Sequence, residues 1–429
     1  MNQSVPHLTT ALKGPLLHLE QLFLDRQNEI EGWLRQRWME TPAPFYASVD
    51  LRNAGFKLAP VDTNLFPAGF NNLNPEFAPL CIQAIQQGIE RYCPTAAGVV
   101  LIPENHTRNQ YYLQNLAALA SLIRRAGFKV EIASIDPTLT ETRLLELDNG
   151  DTIEISPLQR SGDRVHVGEF TPCSVILNND LSGGRPAILD GITQAVIPPL
   201  SLGWSHRLKS EHFEIYQQVA EEFAAALDFD PWLVAPLSRN CGQVDFMNRA
   251  GEECLAQNVA LLLEEIEEKY REYRIDREPF VVVKSDAGTY GMGVMSVRDP
   301  EEVRNMNRKQ RTKMASAKEG RAVTGAIVQE GVYTVESWGE SQATAEPVIY
   351  MIDHFVVGGF YRVNERRSEQ ENLNAPGMMF HPLAFAAPCN APDPERDPDA
   401  EPNRFYAYGV VARLALLAAA REIAMAKGQ

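Results

Sequence analysis

The chain lacks an excess of positive charge. Its 429 residues include 40 lysines and arginines against 56 aspartates and glutamates, a formal net charge of −16 at pH 7. Proteins that bind nucleic acid usually present a basic face, so this balance argues against a nucleic-acid partner. Small anionic substrates stay compatible with it, because a cleft can be locally basic in an acidic protein.

Closely spaced cysteines are also missing. The six cysteines form no C-x-x-C pair, and they are Cys81, Cys93, Cys173, Cys241, Cys254 and Cys389. Such wide spacing argues against a disulfide framework and against a zinc site. We expect these thiols to be buried or idle, with no catalytic cysteine.

No long uncharged apolar run is present. The most apolar segment, 406–425, is interrupted by Arg413, Arg421 and Glu422, which favours a helix with a buried face over a membrane span. The first residues, MNQSVPHLTTALKGPLLHLE, lack the basic start and apolar core of a signal peptide. We therefore expect a soluble, cytoplasmic protein with no membrane partner.

The most informative segment is a lysine followed by a glycine-rich stretch, PFVVVKSDAGTYGMGVMSV, at 279–297. Residues 280–283 and 294–297 are typical of strands. The glycines between them are Gly288, Gly291 and Gly293. They leave backbone N–H groups unobstructed, and Lys284 adds a positive charge, a combination suited to a polyphosphate.

The order of these parts distinguishes among nucleotide sites. A P-loop and a Rossmann loop each open a helix, and a protein kinase carries its lysine on the strand after the loop. Here Lys284 comes first and a strand follows, which indicates an ATP-grasp type of site. The alternative interpretation is a glycine-rich surface hairpin.

Oxygen ligands for Mg²⁺ are predicted on a second strand, FKLAPVDTN, at 56–64. Asp62 and Asn64 are two residues apart, so they point to the same face of the strand and can chelate one ion. Asp286, two residues after Lys284, is a further candidate ligand. An ordinary turn after the strand, and a loop-capping role for Asp286, are the alternatives.

Two further segments could contribute to the same site. PVIYMIDHFVVGGFYRVN, 347–364, predicts two strands around a turn at 356–359, with Asp353 as a second-choice metal ligand and Arg362 placed to stabilise a transferred phosphoryl group. A cross-strand ion pair is the alternative for these two residues. Glu330 ends a strand that could read adenine, and Asn372 opens a turn that could present N–H groups to an anion.

Together these residues resemble ATP-grasp ligases, in particular glutathione synthetases. The KLAPVDTNLFPAGF segment, 57–70, is similar to the Glu-x-Asn-Thr metal strand near the N-terminus of eukaryotic glutathione synthetases, with Asp62 in place of glutamate. The resemblance implies an α/β (α+β) ATP-grasp fold that is circularly permuted. ENHTRNQYYLQNLAALASLIRRAGFKVE, 104–131, is similar to their substrate domain. Arg52, Arg108 and Asn109 are our candidates for gripping substrate carboxylates.

Over essentially the whole chain, SVDLRNAGFKLAPVDTNLFPAGFNNL and GWSHRLKSEHF resemble a bacterial type of glutamate–cysteine ligase. The resemblance implies that ATP and Mg²⁺ drive the joining of the γ-carboxylate of glutamate to the amine of cysteine, through an acyl phosphate. Lys284 and Arg362 would be the catalytic residues. Glutathione synthetase, another dipeptide ligase, and a non-catalytic nucleotide-binding protein are the alternatives. A homodimer is compatible with the sequence.

The chain is expected to divide into three regions. Residues 1–95 carry the N-terminal helix, predicted over 8–39, and the metal strand. Residues 96–205 form an α/β substrate domain, and 206–429 form the nucleotide-binding region with the glycine-rich hairpin. A Pro- and Asp-rich lid or loop is predicted at 386–403.

Overall fold

A computed structural model describes residues 14–95, 98–105, 109–287, 293–315, 323–383 and 405–428. Within these ranges the α-helices are α1 Pro15–Asp25, α2 Gln27–Glu40, α3 Ala78–Tyr92, α4 Gln110–Arg125, α5 Lys209–Leu227, α6 Glu252–Glu272, α7 Pro300–Arg304, α8 Arg308–Ala315 and α9 Phe405–Gly428. The strands are β1 Tyr46–Asn53, β2 Leu58–Asn64, β3 Gly98–Pro103, β4 Lys129–Ser134, β5 Arg143–Glu146, β6 Thr152–Pro157, β7 Gln159–Ser161, β8 Arg164–His166, β9 Ser174–Asn178, β10 Ala195–Ile197, β11 Ser238–Cys241, β12 Val281–Ser285, β13 Val294–Val297, β14 Ala326–Glu330, β15 Ser337–Trp338, β16 Ala343–Ile352, β17 Phe355–Asn364 and β18 Met379–Pro382. The predicted α/β class is confirmed.

The first sheet is antiparallel and combines strands that are distant in the sequence. Its order is β18-β17-β16-β1-β2, and β15 pairs with β16. The β1–β2 hairpin turns at 53–55, where Gly55 has φ +81° and its N–H donates to Asn53 Oδ1 at 2.8 Å. In this sheet β1 lies between β2 and β16, so the hairpin is joined through β1 to a strand almost 300 residues later in the chain.

The second sheet is mostly parallel, in the order β10-β9-β3-β4-β6-β5. Its central strands are continuous apolar runs, VVLI in β3 and SVIL in β9, because both faces are covered. From β3 the chain passes through α4 to β4 on one side, whereas β9 pairs on the other side. The strand order therefore reverses between β3 and β9, and their carboxyl ends open a crevice there.

The third sheet, β11-β14-β12-β13, is antiparallel and contains the predicted lysine hairpin. Lys284 pairs with Val294 across β12 and β13, so the two strands predicted on either side of the glycines are confirmed, whereas 288–292 lie outside the described residues. Gly293 has φ +61°, and a Cβ there would lie 3.2 Å from the Cβ of Ser285, which favours glycine at this point.

Helix α9 lies in the core. Its middle residues are almost fully buried against α5 and the β1–β2 hairpin, as the run of alanines and leucines predicts. The arginine that interrupts this run pairs with a carboxylate, since Arg413 Nη2 lies 2.7 Å from Glu31 Oε1. In the part of the chain that the structure describes, no helix has the length and apolarity needed to cross a membrane.

Two sequence predictions are corrected here. The single helix expected over 8–39 is two helices, because Arg26 leaves helical geometry (φ −107°, ψ 22°) and its guanidinium binds Glu29 and Leu227 O. The turn expected at 356–359 lies at Asp353–His354 instead, and the two glycines lie inside β17. Gly359 is needed there because a Cβ would approach Val348 O to 2.4 Å.

Glu336 links the first sheet to α9 and gives a testable pH dependence. Its Oε1 accepts from Tyr408 Oη and from Asn53 Nδ2, and burial raises the pKa of this carboxyl from 4.5 to about 7. Because the folded pKa is raised, this contribution to stability is complete below pH 4.5 and is lost as the pH rises through 7.

We expect Glu336→Gln to remove this loss. Relative to the variant, the wild type should lose up to about 3 kcal/mol of unfolding free energy between pH 4.5 and pH 8. Urea unfolding of both proteins at pH 5 and pH 8 measures the difference. An equal pH dependence in the two proteins would contradict the buried, titrating carboxyl.

Candidate active site

A first cavity lies between the first and third sheets. Strand register places Val282, Lys284 and Gln329 on one face of the third sheet. Facing them across the cavity, the first sheet contributes Asp50, Arg52, Val61, Asp62 and Glu346. The cavity measures only about 90 Å³. Ligand pockets are usually about 300–1,000 Å³, so a nucleotide can enter only if the two sheets move apart.

Lys284 is the cationic centre of this first cavity. Its Nζ donates to Val61 O at 2.7 Å and to Gln329 Oε1 at 2.5 Å. Burial, with the nearby charge of Lys209, lowers the pKa of Lys284 to about 8, although Asp62 opposes this change. Gln329 is itself buried, and its Nε2 has no hydrogen-bond partner among the described residues. The cavity thus offers a charge and an unused donor to an acceptor-rich ligand.

A second lysine meets Lys284 at Asp62. Lys209, at the start of α5, places its Nζ 2.8 Å from Asp62 Oδ1 and 4.1 Å from the centre of the Trp204 ring. Burial alone would raise the pKa of Asp62, but the charges of Lys209 and Lys284 lower it to about 2. Two cations and one carboxylate are therefore concentrated at one end of the first cavity.

Arg362 stands in a buried ion-pair network on the first sheet. Its Nη1 lies 2.7 Å from Asp50 Oδ2 and 2.7 Å from Glu346 Oε1, and Arg52 Nε binds the other oxygen of Glu346 at 2.9 Å. Despite burial, the two arginines hold the pKa of Glu346 below its usual value, whereas burial raises the pKa of Asp50. The network fixes Arg362 at the wall of a second cavity, which is described next. The Nε of Arg362 has no hydrogen-bond partner among the described residues.

A second, larger cavity of about 490 Å³ opens at the switch point between β3 and β9. It is lined by polar and aromatic side chains, among them Asn64, Glu104, Asn109, Tyr112, Asn178, Asp180, Trp204, Tyr350 and Arg362. Asp50, Asp62 and Asn374 line both cavities. The first and second cavities therefore adjoin at Asp62, where a group bound in one can reach a group bound in the other.

The metal-ligand candidates are only partly assembled. Asp62 and Asn64 share a face of β2 as predicted, and β-pairing sets Asp50 directly opposite Asp62. Asp286 differs, because it is buried, accepts from Ser210 N (2.8 Å) and Ser210 Oγ (2.7 Å), and lines neither cavity. Asp353, the second choice, lies at the β16–β17 turn, paired with Arg91 and His354. The structure does not bring it to the site.

Within the described ranges, no three His, Cys, Asp or Glu side chains are grouped to hold a metal ion. The donors present nevertheless fit Mg²⁺. This ion prefers hard oxygens and is commonly bound by one or two carboxylates together with waters and substrate phosphates. Asp62 and Asp50 supply such carboxylates at the junction of the cavities.

The other predicted residues fall in three groups. Arg52 and Asn372 line the first cavity. The guanidinium of Arg52 is not placed to bind substrate as predicted, because it already binds Glu346 and the carbonyls of Val332, Glu369 and Glu371. Asn109 lines the second cavity while its Oδ1 caps α4 through Tyr111 N and Tyr112 N. Gly288, Gly291, Arg108 and the whole 386–403 segment lie outside the described residues.

Glu330 has a structural contact that the sequence did not indicate. Its Oε2 lies 2.5 Å from Lys57 Nζ, with side-chain exposures of 1% and 0% for Glu330 and Lys57. Leu237 N donates to the same oxygen, and Trp232 Nε1 donates to Oε1. The carboxylate is thus engaged within the protein, and the backbone N–H of Glu330 is engaged as well, since it donates to Leu237 O at 2.7 Å.

We expect Lys57→Met to lower the free energy of unfolding by about 3–5 kcal/mol, because it leaves the Glu330 carboxylate buried without its cation. The double variant Lys57→Met/Glu330→Gln should recover most of this loss. Thermal and urea unfolding measure both. Equal stability of the single and double variants would contradict a buried, charged pair.

Sequence reasoning missed several residues of the site, namely Asp50, Trp204, Lys209, Gln329 and Glu346. Asp50 could have been found from the sequence. It is two residues from Arg52 in SVDLRN, so the two side chains share the strand face that bears Asp62 across the hairpin. Lys209 and Trp204 lie in GWSHRLKSEHF, which gave a family resemblance but no role.

Comparison with known proteins adds to this geometry. The family model of GshA, glutamate-cysteine ligase, matches residues 20–423. A solved structure from Methylobacillus flagellatus KT, assigned as a gamma-glutamylcysteine synthetase, is 58% identical, covers 98% of this chain and 99% of that chain, and has a TM-score of 0.90. No curated protein sequence matches the chain.

More distant structural likenesses are weak. A glutathione synthetase-like effector from Globodera pallida is 12% identical, with a TM-score of 0.37 over 80% of this chain and 75% of that chain. A D-alanyl-alanine synthetase A from Vibrio cholerae is 10% identical, with a TM-score of 0.30 over 75% and 81%.

Proposed function

The chain belongs to the glutamate–cysteine ligase family, and we propose that its two adjoining cavities divide that reaction between them. The predicted resemblance to this family is confirmed. As a ligase of this family the chain uses ATP and small-molecule substrates. The assignment of the cavities depends on one observation, which is that Asp62 lines both of them. Lys209 and Lys284 lie on the side of the first cavity, and the crevice between β3 and β9 lies on the side of the second.

In this proposal ATP lies in the first cavity, after the sheets separate to admit it. Lys284 and Lys209 neutralise the phosphates, and Gln329 Nε2 donates to an acceptor atom of the nucleotide. The γ-carboxylate of glutamate enters from the second cavity and attacks the γ-phosphorus, which gives an acyl phosphate and ADP. The protein contributes position and charge, without a covalent step of its own.

The second step forms the amide bond. The neutral amine of cysteine attacks the acyl carbon, phosphate leaves, and the amine loses a proton. Arg362 lies at the wall of the second cavity, where its unused Nε–H can stabilise negative charge on the acyl phosphate. Asp50 and Glu346 keep the guanidinium in place and raise its pKa, so it stays charged.

Magnesium is part of the proposal. Asp62 would be its main protein ligand, with Asp50 or Asn64 beside it. When bound, the ion would screen the phosphate charges and orient the γ-phosphate. Asp62 is suited to this role because its low pKa keeps the carboxylate ionised at any working pH. Asp286 remains the candidate on the side of the glycine-rich segment.

The two-sheet geometry around the first cavity also supports the ATP-grasp interpretation, with a permuted order in which the metal strand β2 precedes the lysine strand β12. The three-region division of the chain, a homodimer and a cytoplasmic location stay predictions. Sedimentation at several protein concentrations would test the dimer.

The function is tested by phosphate release from ATP and Mg²⁺ in the presence of paired amino acids. Release with glutamate plus cysteine, and a product with the mass of γ-glutamylcysteine, is the expected result. Release only with γ-glutamylcysteine plus glycine would identify a glutathione synthetase instead. The variant Lys284→Ala separates this activity from that of a contaminating enzyme.

A further inference from the structure

Two thiols meet where helix α6 packs against the third sheet. Cys241 is the last residue of β11, the outer strand of that sheet, and Cys254 lies in the first turn of α6. The S–H of Cys241 donates to Cys254 Sγ, with the two sulfurs 3.3 Å apart. A disulfide bond is about 2.05 Å long, so the sulfurs would need to approach by only about 1.3 Å to form one.

The two thiols differ in what can reach them. The sequence predicts buried or idle cysteines, but Cys254 is exposed, whereas Cys241 is 1% exposed. Burial and the neighbouring sulfur raise the pKa of Cys241 to about 12. Because the thiolate is the reactive form, Cys241 is inert toward a reagent in solution. Cys254 is therefore the sulfur of this pair that a reagent meets first.

Hydrogen-bond donors converge on the exposed sulfur. Asn258, one turn further along α6, places its Nδ2 3.7 Å from Cys254 Sγ, and the S–H of Cys241 is the second donor. Cys254 also lies in the first turn of the helix, where backbone N–H groups without helical partners favour negative charge. These surroundings suit a sulfur that reacts as an anion.

The two glutamates that precede Cys254 in the helix are each offset by an arginine. Glu252 Oε1 lies 2.6 Å from Arg249 Nη2, and Glu253 Oε1 lies 2.8 Å from Arg304 Nη2. Their paired charges leave the exposed sulfur accessible to a reagent that carries carboxylates.

We propose that Cys254 and Cys241 form a redox-active dithiol that reacts with disulfides of small thiols. Cys254 attacks one sulfur of the small disulfide, which forms a mixed disulfide and releases one small thiol. Cys241 then attacks the Cys254 sulfur, which forms the protein disulfide and releases the second small thiol. Two electrons pass from the protein to the small disulfide, and the protons of the two protein thiols go to the two leaving thiolates.

Small disulfides are also the oxidants related to the reaction of this protein. On the proposed function, the substrate cysteine and the product γ-glutamylcysteine are both thiols, and their oxidised forms are disulfides of this class. The dithiol would thus respond to oxidation of the thiols that the enzyme uses and makes. This choice of reagent rests on the proposed function, whereas the dithiol itself does not.

The bond would join the edge of the third sheet to the helix that covers it. Cys241 is paired with Ala326, and Ala326 with Ser285, so Cys241 points to the sheet face away from Lys284. Neither cysteine lines the first or the second cavity. The cross-link therefore lies on one side of the first cavity and does not tie the two sheets together.

Peptide mapping tests the dithiol directly. Trypsin cleaves after Arg249, so the two cysteines fall in different peptides, 240–249 and 250–269. The reduced protein is incubated with cystine, blocked with iodoacetamide, digested and analysed by mass spectrometry. In the wild type these two peptides should be joined by a disulfide, and little cysteine should remain attached to Cys254.

Two variants separate the steps. Cys241→Ala keeps the buried position apolar and removes the second thiol, so the cysteine adduct on Cys254 should accumulate to about tenfold the wild-type level or more. Cys254→Ser should leave Cys241 reduced. Circular dichroism confirms that both variants fold, and the linkage in the wild type tests the proposal without either of them.

The other neighbouring thiols, Cys93 and Cys173, supply the control. Cys93→Ser removes that pair and should form the 240–249 to 250–269 linkage at the wild-type rate. Oxidation should also raise the midpoint of thermal unfolding of the wild type by about 2 °C or more, and should leave that of Cys241→Ala unchanged, because only the wild type gains the cross-link.

Three results would overturn the inference: no linkage between the two peptides in the wild type, an equally abundant adduct on Cys254 in the wild type and Cys241→Ala, or oxidation of Cys241 at the wild-type rate in Cys254→Ser. Peptide mapping needs no turnover, so its outcome is independent of the proposed function. An active enzyme without the linkage would remove only the dithiol, and a linked protein that releases no phosphate would remove only the function.

Discussion

Lys284→Ala is expected to lower kcat/KM for ATP by about 10³-fold or more. The side chain is the cation at the centre of the first cavity, and phosphoryl transfer depends on charges placed at the phosphates. The loss should appear in kcat as well as in KM, because charge on the transferred group is greatest in the transition state. Steady-state kinetics at saturating glutamate and cysteine measure both constants.

A second lysine supplies the control. Lys129 is exposed at the start of β4, where it pairs with Glu131 far from either cavity, and Lys129→Ala should keep wild-type kinetics. Lys284→Ala removes two hydrogen bonds, to Val61 O and Gln329 Oε1, so a moderate loss of stability is expected while the fold remains. Circular dichroism and thermal unfolding check this. Activity within threefold of wild type in Lys284→Ala would remove the lysine hairpin from the mechanism.

Local features of the site could be predicted from the sequence. Each depends on neighbours in the chain: the β-branched run before Lys284 and the glycines after it, or the alternation that sets Asp62 and Asn64 on one face of β2. The strong apolar periodicity of 208–227 and 252–272 likewise indicates two helices, and these are α5 and α6. Where short-range pattern decides the structure, the prediction holds.

The parts that could not be predicted depend on long-range packing. Nothing near Lys209 in the sequence shows that its ammonium meets Asp62, 147 residues earlier. The turn of the β16–β17 hairpin was misplaced for a related reason. Gly358 and Gly359 suggested a turn, but they are required inside a strand by the close approach of β16. A glycine in a sequence indicates that the backbone is constrained there, but the sequence alone does not show whether a turn or a neighbouring strand is the cause.

Asp62→Asn is the second variant for which we expect a large effect. It should lower kcat by about 10²- to 10³-fold and raise the Mg²⁺ concentration needed for half-maximal activity. The reason is that an amide carries no charge and binds Mg²⁺ weakly. The side chain is 39% exposed and its pair with Lys209 is partly solvated, so stability should fall by no more than about 1 kcal/mol. Phosphate release over a range of Mg²⁺ concentrations gives both constants.

Asp286→Asn is the matched comparison, because it makes the same chemical change at the other candidate ligand. Its carboxylate is buried and takes two hydrogen bonds from Ser210, so the expected effect is a loss of about 1–3 kcal/mol of stability with an unchanged Mg²⁺ requirement. The opposite pattern, with the Mg²⁺ requirement raised in Asp286→Asn and unchanged in Asp62→Asn, would move the metal to the side of the glycine-rich segment. Asp286 would then have to break its hydrogen bonds to Ser210 when ATP binds. Because these bonds join the end of β12 to the start of α5, their loss would be part of the opening of the first cavity.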